Sequence, residues 1–290
     1  MITALLKSLR PKQWTKNLLV FAGFLFTLNG TGQSHSILRV LAAFGLFCAI
    51  SGATYIFNDA ADVERDRQHP RKCKRPIASG AVPVKAAVVI AVLLVIAAVY
   101  VSFKLSFHFG LLAAGYLMLT SAYSASLKHI VIVDLFAIAA GFVLRAVAGA
   151  VVINVDISSW LLICTTLLAL FLGLAKRRSE IITLEDGAFG HRKTLSEYNA
   201  PMLDQMLSIT ASAALMSYCL YTFTPLSKTG SSHPYMMMTV PFVVYGLFRY
   251  LLLVHTENAG GNPELVLLED KPMLINIVLY VITAVVALKL

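Results

Sequence analysis

Long apolar runs separated by shorter polar segments make up most of this chain of 290 residues. Nine runs have the length and composition of helices, and their approximate limits are residues 13–28, 36–57, 82–103, 108–124, 130–151, 158–175, 201–223, 233–254 and 272–289. A helix of about twenty apolar residues crosses the hydrocarbon core of a bilayer. We therefore predict an all-α polytopic membrane protein with about nine transmembrane helices, which form a single domain over residues 1–290.

The composition supports this class. Hydrophobic residues make up 58% of the chain and charged residues 13%, whereas soluble domains carry about 25% charged residues. A net charge of +9 would suggest nucleic acid as the partner of a soluble protein. In a membrane protein, basic cytoplasmic loops explain much of that charge and anionic substrates explain the remainder. The four cysteines show no paired spacing, which argues against a disulfide framework or a zinc site.

The positions of lysine and arginine predict the orientation. Seventeen of the 24 lie at the N-terminus or in the loops after predicted helices two, four, six and eight, and three lie on the opposite side. Cytoplasmic loops carry an excess of basic residues. The N-terminus and the even-numbered loops are therefore predicted to be cytoplasmic, with the C-terminus outside.

A run of acidic residues directly follows the second apolar run. If the helix continues through it, a rotation of about 100° per residue places four polar side chains on one quarter of the helix surface. These are Asn58, Asp59, Asp62 and Asp66. Carboxylates so close together repel one another unless a cation neutralises them. Oxygen ligands of this kind suit Mg²⁺, whose shell phosphate oxygens usually complete. The alternative is a solvated, charged helix end that stops a membrane span.

Basic residues follow the acidic run and also open the loop after the sixth helix. The first group is Arg71, Lys72, Lys74 and Arg75, and the second begins Lys176-Arg177-Arg178-Ser179-Glu180. Guanidinium groups bind phosphate oxygens, so acids followed by bases suit a metal–diphosphate, with Arg75 as the expected ligand. On a helix, Lys176, Arg177 and Glu180 share a face and Arg178 turns away. Anchoring to anionic lipid and an ordinary hydrated loop are the alternatives.

Charged residues also interrupt the fifth apolar run. Asp134 and Arg145 are costly in lipid and are functional candidates for that reason. They share one helix face but stand about 16 Å apart along the axis, too far for a salt bridge. Each is expected to face a polar cavity or a partner on another helix, and a purely structural Asp134 is the alternative.

These residues carry a family resemblance. The motif Asn58-Asp59-x-x-Asp62-x-x-x-Asp66, followed by Arg75-Pro76 and Ser79-Gly80, resembles the UbiA superfamily of intramembrane prenyltransferases over nearly the whole chain. Aromatic prenyltransferases carry a second acidic cluster where this chain has Lys176 to Glu180. Three further segments point to the decaprenyl-phosphate phosphoribosyltransferase branch: Arg10-Pro11-x-Gln13-Trp14-x-Lys16-Asn17, Tyr123-Ser124-x-x-Leu127-Lys128 and Asp134…Leu144-Arg145-Ala146-x-Ala148-Gly149.

The resemblance implies a central cavity open to the cytoplasm, in the cytoplasmic membrane of a bacterium, and a homo-oligomer such as a trimer. It also implies Mg²⁺-dependent transfer of 5-phosphoribose from 5-phosphoribosyl 1-diphosphate to a polyprenyl phosphate, with release of pyrophosphate. Such a donor and acceptor bring three anionic groups to one site, and the bases at positions 176 to 178 supply cations for them. The alternatives are an aromatic prenyltransferase that uses a polyprenyl diphosphate, and a transporter of lipid phosphates.

Residue roles follow from the same resemblance. The expected metal ligands are Asn58, Asp59, Asp62 and Asp66. The expected catalytic residues are Asp59, Asp62, Asp66, Lys176 and Glu180, where Glu180 holds a ribose hydroxyl or orients Lys176. The expected substrate-binding residues are Lys16, Asn17, Asn58, Arg75, Tyr123, Lys128, Asp134, Arg145, Arg177 and Tyr198.

Overall fold

The computed structural model describes residues 2–24, 33–70, 72–156, 159–185, 197–223, 234–256, 259–261, 266 and 269–289. The α-helices in these ranges are α1 (Ile2–Ser8), α2 (Gln33–Ala61), α3 (Val63–Gln68), α4 (Val84–Leu105), α5 (Phe107–Ala125), α6 (Val133–Val152), α7 (Ser159–Glu185), α8 (Ala200–Phe223), α9 (Val240–Thr256) and α10 (Lys271–Lys289). Short 3-10 helices lie at Pro11–Phe21, Lys72–Lys74, Leu127–His129, Pro234–Thr239 and Ala259–Gly261. These ranges contain no strand, which confirms the predicted all-α class.

Six of the described helical segments are long and apolar enough to cross a membrane: Ser36–Ala61, Val84–Leu105, Val133–Val152, Ser159–Ile182, Ala200–Phe223 and Tyr235–Thr256. A shorter apolar helix covers Lys271–Ala287. Many large apolar side chains on these helices are exposed, for example Leu93 and Ile96, each at 61%. Apolar surface of this extent is unfavourable in water but suits contact with lipid tails. The chain is an integral membrane protein.

The first predicted helix, 13–28, differs from the structure. Its residues 13–21 belong to a 3-10 helix, Pro11–Phe21. Residues 22–24 follow that helix, and residues 25–28 lie outside the described ranges. A 3-10 helix is usually short because its hydrogen bonds are poorer than those of an α-helix. Here tertiary contacts support it, since Asn17 and Val20 are buried. The count of nine transmembrane helices is therefore not confirmed in the described part of the chain.

The chain divides into two compact units. The first contains residues 1–126 and 144–156, and the second contains residues 127–143 and 157–290. Helix α6 contributes its first half to the second unit and its second half to the first unit. The single domain expected over residues 1–290 stays a prediction.

In the first unit, α2 packs against α4, α5 and the Pro11–Phe21 helix. Helices α4 and α5 form a hairpin with one connecting residue, Ser106, whose extended backbone ends the first helix and begins the second. The core contains fully buried side chains from three of these elements, namely Val20, Phe47 and Phe109. In a membrane, van der Waals packing of such side chains holds helices together, and here it positions the end of α2, where the acidic residues lie.

In the second unit, α7 packs against α8, and α9 packs against α8 and α10. The rings of Phe171 on α7 and Tyr250 on α9 pack 5.4 Å apart. Arg249 on α9 donates a hydrogen bond of 2.8 Å to Asp270, which also accepts the backbone N–H of Met273 and so caps the start of α10. These hydrogen bonds lower the pKa of the Asp270 carboxyl.

Helix α6 approaches the Pro11–Phe21 helix closely at Gly149. A Cβ atom at this position would stand 1.8 Å from the carbonyl oxygen of Val20 and 2.7 Å from its carbonyl carbon. Backbone atoms cannot move aside as the end of a flexible side chain can, so the contact requires glycine here. Gly45, in α2, is different because a Cβ atom there would meet nothing within 4 Å.

We expect Gly149→Ala to destabilise the protein by more than about 1 kcal/mol, because the added methyl group overlaps the Val20 backbone. Gly45→Ala is the matched control and should be neutral or stabilising by up to about 1 kcal/mol, since alanine favours the helix. Thermal unfolding of the purified variants in detergent would measure both effects. Equal midpoints for the two variants would contradict the close approach of α6 to Val20.

Candidate functional site

The predicted continuous helix through the acidic run is interrupted at Asp62. Helix α2 ends at Ala61 and α3 begins at Val63, with Asp62 between them at φ −95° and ψ 9°. Two backbone bonds nevertheless keep helical spacing across the break, from Asp62 N–H to the Asn58 carbonyl (3.0 Å) and from Asp66 N–H to the Asp62 carbonyl (2.9 Å). The acidic side chains therefore keep roughly the rotation that the sequence predicts.

Asp59 and Asp66 converge on one cationic nitrogen. Nη1 of Arg75 lies 3.0 Å from Oδ1 of Asp59 and 2.6 Å from Oδ2 of Asp66. A second guanidinium, that of Arg10, donates from Nη2 to the same Asp59 oxygen at 2.5 Å. Both carboxylates are 3% exposed, and the guanidinium groups cancel charge that would be costly to bury alone. We call these four residues the Asp59–Asp66 cluster.

The donor atoms of this cluster fit Mg²⁺. Carboxylate oxygens are the ligands this ion prefers, and proteins commonly bind it through one or two carboxylates plus substrate phosphates. Two carboxylate oxygens already face a single cation, Nη1 of Arg75. Asn58 and Asp62 adjoin them and are half-buried, and Asp62 has no ion pair with any described residue. Across the described ranges, no group of three or more Asp, Glu, His or Cys side chains is arranged to hold a metal, so the four-residue ligand set stays a prediction.

Arg145 and Asn17 form a second polar group of the first unit. Nε of Arg145 donates to Oδ1 of Asn17 at 2.8 Å, and Nη2 donates to the Tyr116 hydroxyl at 2.6 Å. The guanidinium also lies over the Tyr116 ring, 4.7 Å from its centroid. The amide of Asn17 donates to Cys48 and Ser51 on α2. Arg145 thus has partners on two other helices, as one of the two sequence alternatives expects. Its predicted substrate-binding role stays a prediction.

In the second unit, Arg177 joins two acids. Its Nε and Nη2 donate to Oδ2 of Asp134 at 3.0 and 2.7 Å, and its Nη1 donates to Glu180 at 2.5 Å. Asp134 is fully buried and Arg177 is 3% exposed. All three guanidinium nitrogens therefore contact carboxylates, which favours the structural alternative for Asp134 and for Arg177 as well. We call these three residues the Asp134–Arg177 cluster.

A strained turn precedes this cluster. Ile132 has a φ of 68°, which is rare for a β-branched residue. Its backbone N–H donates to the hydroxyl of Tyr198 at 2.8 Å. Burial raises the pKa of Tyr198, and the Ile132 N–H partly offsets this effect. Tyr198 was predicted to bind substrate, and in the structure its hydroxyl supports the turn that leads into α6.

The prediction that a loop begins at Lys176 is wrong, because α7 continues to Glu185. The other two bases of this run have different environments. Lys176 is exposed on α7, whereas Arg178 pairs with Asp204 on α8 and donates to the Val254 carbonyl on α9. His255 contacts the same Asp204 oxygen at 3.2 Å. The prediction that Arg178 turns away from Arg177 and Glu180 agrees with these contacts. Arg177 and Arg178 are thus paired with acids, a pairing that the run of bases alone does not predict.

Other predicted substrate ligands are half-buried: Lys16 on the Pro11–Phe21 helix, Tyr123 on α5 and Lys128 on the Leu127–His129 helix. Their substrate roles stay predictions. Arg71 and residues 186–196 lie outside the described ranges.

Sequence reasoning missed the role of Arg10 in the acidic cluster. This residue was noted within a family motif but was not assigned to a site. Its guanidinium lies 4.7 Å from the centroid of the Tyr55 ring, and Tyr55 precedes Asp59 by four residues, on the same face of α2. The only hint in the sequence is this shared face, because an aromatic ring beside an acid can hold a guanidinium between them. Arg178 pairs with Asp204, which lies 26 residues away. No neighbouring residue in the sequence indicates that this pair forms.

Comparison with known proteins gives consistent results. The profile of the UbiA prenyltransferase family matches residues 18–269. The decaprenyl-phosphate phosphoribosyltransferase of Corynebacterium glutamicum is 35% identical over 287 residues, which cover 98% of this chain and 86% of that protein. The protein of the same name from Mycolicibacterium smegmatis is 33% identical over 283 residues, with 93% and 88% covered.

The fold is also similar to solved structures. A UbiA homolog from Archaeoglobus fulgidus bound to DMAPP and Mg²⁺ superposes with a TM-score of 0.70 and 17% identity, and 99% of each chain is covered. The same homolog bound to GPP and Mg²⁺ gives a TM-score of 0.69 at 16% identity.

We expect Asp134→Asn to destabilise the protein by about 3–5 kcal/mol, because it leaves the Arg177 guanidinium buried with one carboxylate fewer. Glu64→Gln is the matched control. It also removes one carboxylate from an arginine pair, but that pair with Arg67 is solvent-exposed, and such pairs contribute little. Thermal unfolding in detergent would compare them. Similar unfolding temperatures would mean that the buried pair adds no stability.

Proposed function

The chain belongs to the UbiA prenyltransferase family, and from the chemistry of its acidic site and the names of its relatives we propose that it is a polyprenyl-phosphate phosphoribosyltransferase. It transfers 5-phosphoribose from 5-phosphoribosyl 1-diphosphate to a polyprenyl phosphate such as decaprenyl phosphate, and pyrophosphate is released. The observation that carries this proposal is the pair of buried carboxylates, Asp59 and Asp66, that face one arginine nitrogen. Carboxylates beside guanidinium groups suit a metal–diphosphate.

The donor's diphosphate is proposed to bind at the Asp59–Asp66 cluster, with Asn58 and Asp62 completing the protein's ligands for Mg²⁺. The chemistry that Mg²⁺ supplies when bound is neutralisation of charge on the leaving pyrophosphate. Arg75 is proposed to donate to phosphate oxygens, and its hydrogen bonds to the two carboxylates support this role. The A. fulgidus homolog binds Mg²⁺ with a prenyl diphosphate, which supports a site of this type.

The reaction needs little proton transfer. A phosphate oxygen of the polyprenyl acceptor forms a bond to C1 of the ribose, and the bond from C1 to the diphosphate breaks. The nucleophile is already an anion, so no general base has to remove a proton from it. Positioning of the two substrates and neutralisation of their charges therefore supply most of the catalysis. The contributions expected from Lys128, Lys176 and Glu180 stay predictions.

Purified protein given labelled phosphoribosyl diphosphate and decaprenyl phosphate should yield a labelled lipid and an equal amount of pyrophosphate. Addition of EDTA should stop the reaction, and an excess of Mg²⁺ should restore it, because the diphosphate site requires the ion. A parallel reaction with polyprenyl diphosphate and an aromatic acid is the control for the related chemistry. An unlabelled lipid in the first reaction, with a prenylated acid in the second, would establish an aromatic prenyltransferase instead.

Asp62→Asn tests the metal assignment without breaking an ion pair. Asp62 has no ion pair in the described part of the chain, so its loss should leave the unfolding temperature unchanged. We expect turnover to fall by about 100-fold or more, as when one group that stabilises transition-state charge is removed. Glu64→Gln, two residues further on and exposed, should keep full turnover. Full turnover of Asp62→Asn with Mg²⁺ present would exclude Asp62 as a ligand.

A further inference from the structure

Glu180 is held by an arginine that is itself fixed. Nη1 of Arg177 donates to Oε2 of Glu180 at 2.5 Å, while Nε and Nη2 of the same guanidinium donate to Oδ2 of Asp134 at 3.0 and 2.7 Å. A guanidinium group is planar, and its nitrogens have fixed directions. The two hydrogen bonds to Asp134 therefore determine where the third nitrogen points, and so where the Glu180 carboxylate lies.

Asp134 is fixed in turn by the segment that leads into α6. Its side chain is 0% exposed, and its N–H donates to the Ile130 carbonyl at 3.1 Å. Between these two residues, Ile132 has the left-handed φ of 68°, and the Tyr198 hydroxyl accepts its N–H. A β-branched residue keeps this conformation only where its surroundings enforce it. The Asp134 carboxylate is thus a rigid point of attachment for Arg177.

A second pair with the same spacing shows what the buried acid adds. Glu64 and Arg67 also stand three residues apart and form a hydrogen bond of 3.0 Å, but their side chains are 78% and 50% exposed. Such pairs contribute little, because the entropy lost in ordering two long side chains offsets their attraction. Arg177 is 3% exposed and is already ordered by its bonds to Asp134. It can therefore hold the Glu180 carboxylate in place without this loss on its own side.

The Glu180 carboxylate has a second oxygen that a ligand can reach. The side chain is 34% exposed, and only Oε2 accepts a hydrogen bond from a described residue. A carboxylate accepts hydrogen bonds from hydroxyl groups, whereas it repels phosphate groups because both are anions. In a donor that consists of a sugar and phosphates, the sugar hydroxyls are therefore the groups that Oε1 suits.

We propose that Asp134 and Arg177 are positioning residues, which hold Glu180 so that its Oε1 accepts a hydroxyl of the donor's ribose. Asp134 orients Arg177, and Arg177 orients Glu180, while neither of them contacts the substrate. The arrangement contributes to selectivity, because a site built to hydrogen-bond a substrate hydroxyl disfavours a donor that lacks it. This inference rests on the proposed function, since that function supplies the ribose.

Calorimetric titration of the purified full-length protein, with Mg²⁺ and without a lipid acceptor, tests the proposal. Three probes are titrated: 5-phosphoribosyl 1-diphosphate, its 2-deoxy analogue and its 3-deoxy analogue. We expect the unmodified protein to bind the first about 10-fold more tightly than at least one analogue, the size of a hydrogen bond to a charged group. Glu180→Ala should lose this selectivity. Equal affinity of the unmodified protein for all three probes, or full selectivity in Glu180→Ala, would overturn the proposal.

Arg177→Lys separates positioning from packing. Lysine keeps a positive charge beside Asp134 but has a single nitrogen, so it cannot hold two acids in fixed directions. We expect its selectivity to fall as in Glu180→Ala. Arg249→Lys is the matched control, because Arg249 also donates from two nitrogens to one acid, Asp270, and it should keep full selectivity.

Two results for Arg177→Lys would overturn the positioning role. A purely structural role would lower the number of binding sites per protein and leave the selectivity unchanged. An equal loss of affinity for all three probes would mean that Arg177 contacts a phosphate group that the probes share.

Glu180→Asp provides a second variant in case Arg177→Lys does not fold. It alters a partly exposed side chain and keeps the carboxylate, but the shorter chain draws that carboxylate away from Arg177, so loss of selectivity is expected. Full selectivity in this variant would mean that the contact with Arg177 is not needed.

Failure of the proposed function gives a different result. Selective binding that depends on Arg177, without a labelled lipid product, would leave this inference intact and exclude ribosyl transfer. A labelled product with unchanged selectivity in Arg177→Lys would do the reverse. Absence of binding for all three probes would exclude both.

Discussion

Asp59 and Asp66 are buried carboxylates at the end of an apolar helix, and such groups must be neutralised by a cation because burial removes the water that would solvate them. Arg10 and Arg75 meet this requirement with hydrogen bonds to the same oxygens. This requirement connects separate parts of the chain. It brings the N-terminal segment, the end of α2, α3 and the turn after the Lys72–Lys74 helix to one place. The proposed function uses the same groups, because carboxylates suit Mg²⁺ and guanidinium groups suit phosphate oxygens.

The second unit meets the same requirement differently. Asp134 is fully buried. All three guanidinium nitrogens of Arg177 donate hydrogen bonds to Asp134 or Glu180. One oxygen of Asp134, Oδ1, has no hydrogen-bond partner among the described residues, so the arrangement carries a cost that its surroundings must offset. This closed pair connects α6 to α7. The Asp59–Asp66 cluster is more open, because its arginines are partly exposed.

The structure changes which basic residues are candidates to contact the phosphate groups of the substrates. The sequence suggests that three consecutive bases, Lys176, Arg177 and Arg178, supply cations for three phosphate groups. The structure pairs Arg177 with Asp134 and Arg178 with Asp204, while Lys176 remains exposed. Arg10, which has no predicted site role, donates a hydrogen bond to Asp59 in the acidic cluster. Guanidinium charge beside the acidic cluster therefore comes in part from the N-terminal segment, and the two arginines of the basic run in α7 already have acidic partners.

The all-α class, the membrane location and the acidic motif follow from the sequence alone. Each follows from local chemistry, because apolar length, charge spacing and helical rotation act within one segment. The tertiary structure decided which charges meet. Asp59 and Arg10 are 49 residues apart, and Arg177 and Asp134 are 43 residues apart, so no local period connects them. It also decided the 3-10 geometry of Pro11–Phe21, since a helix this weak is supported by buried contacts such as that of Val20 with Gly149 rather than by its own hydrogen bonds.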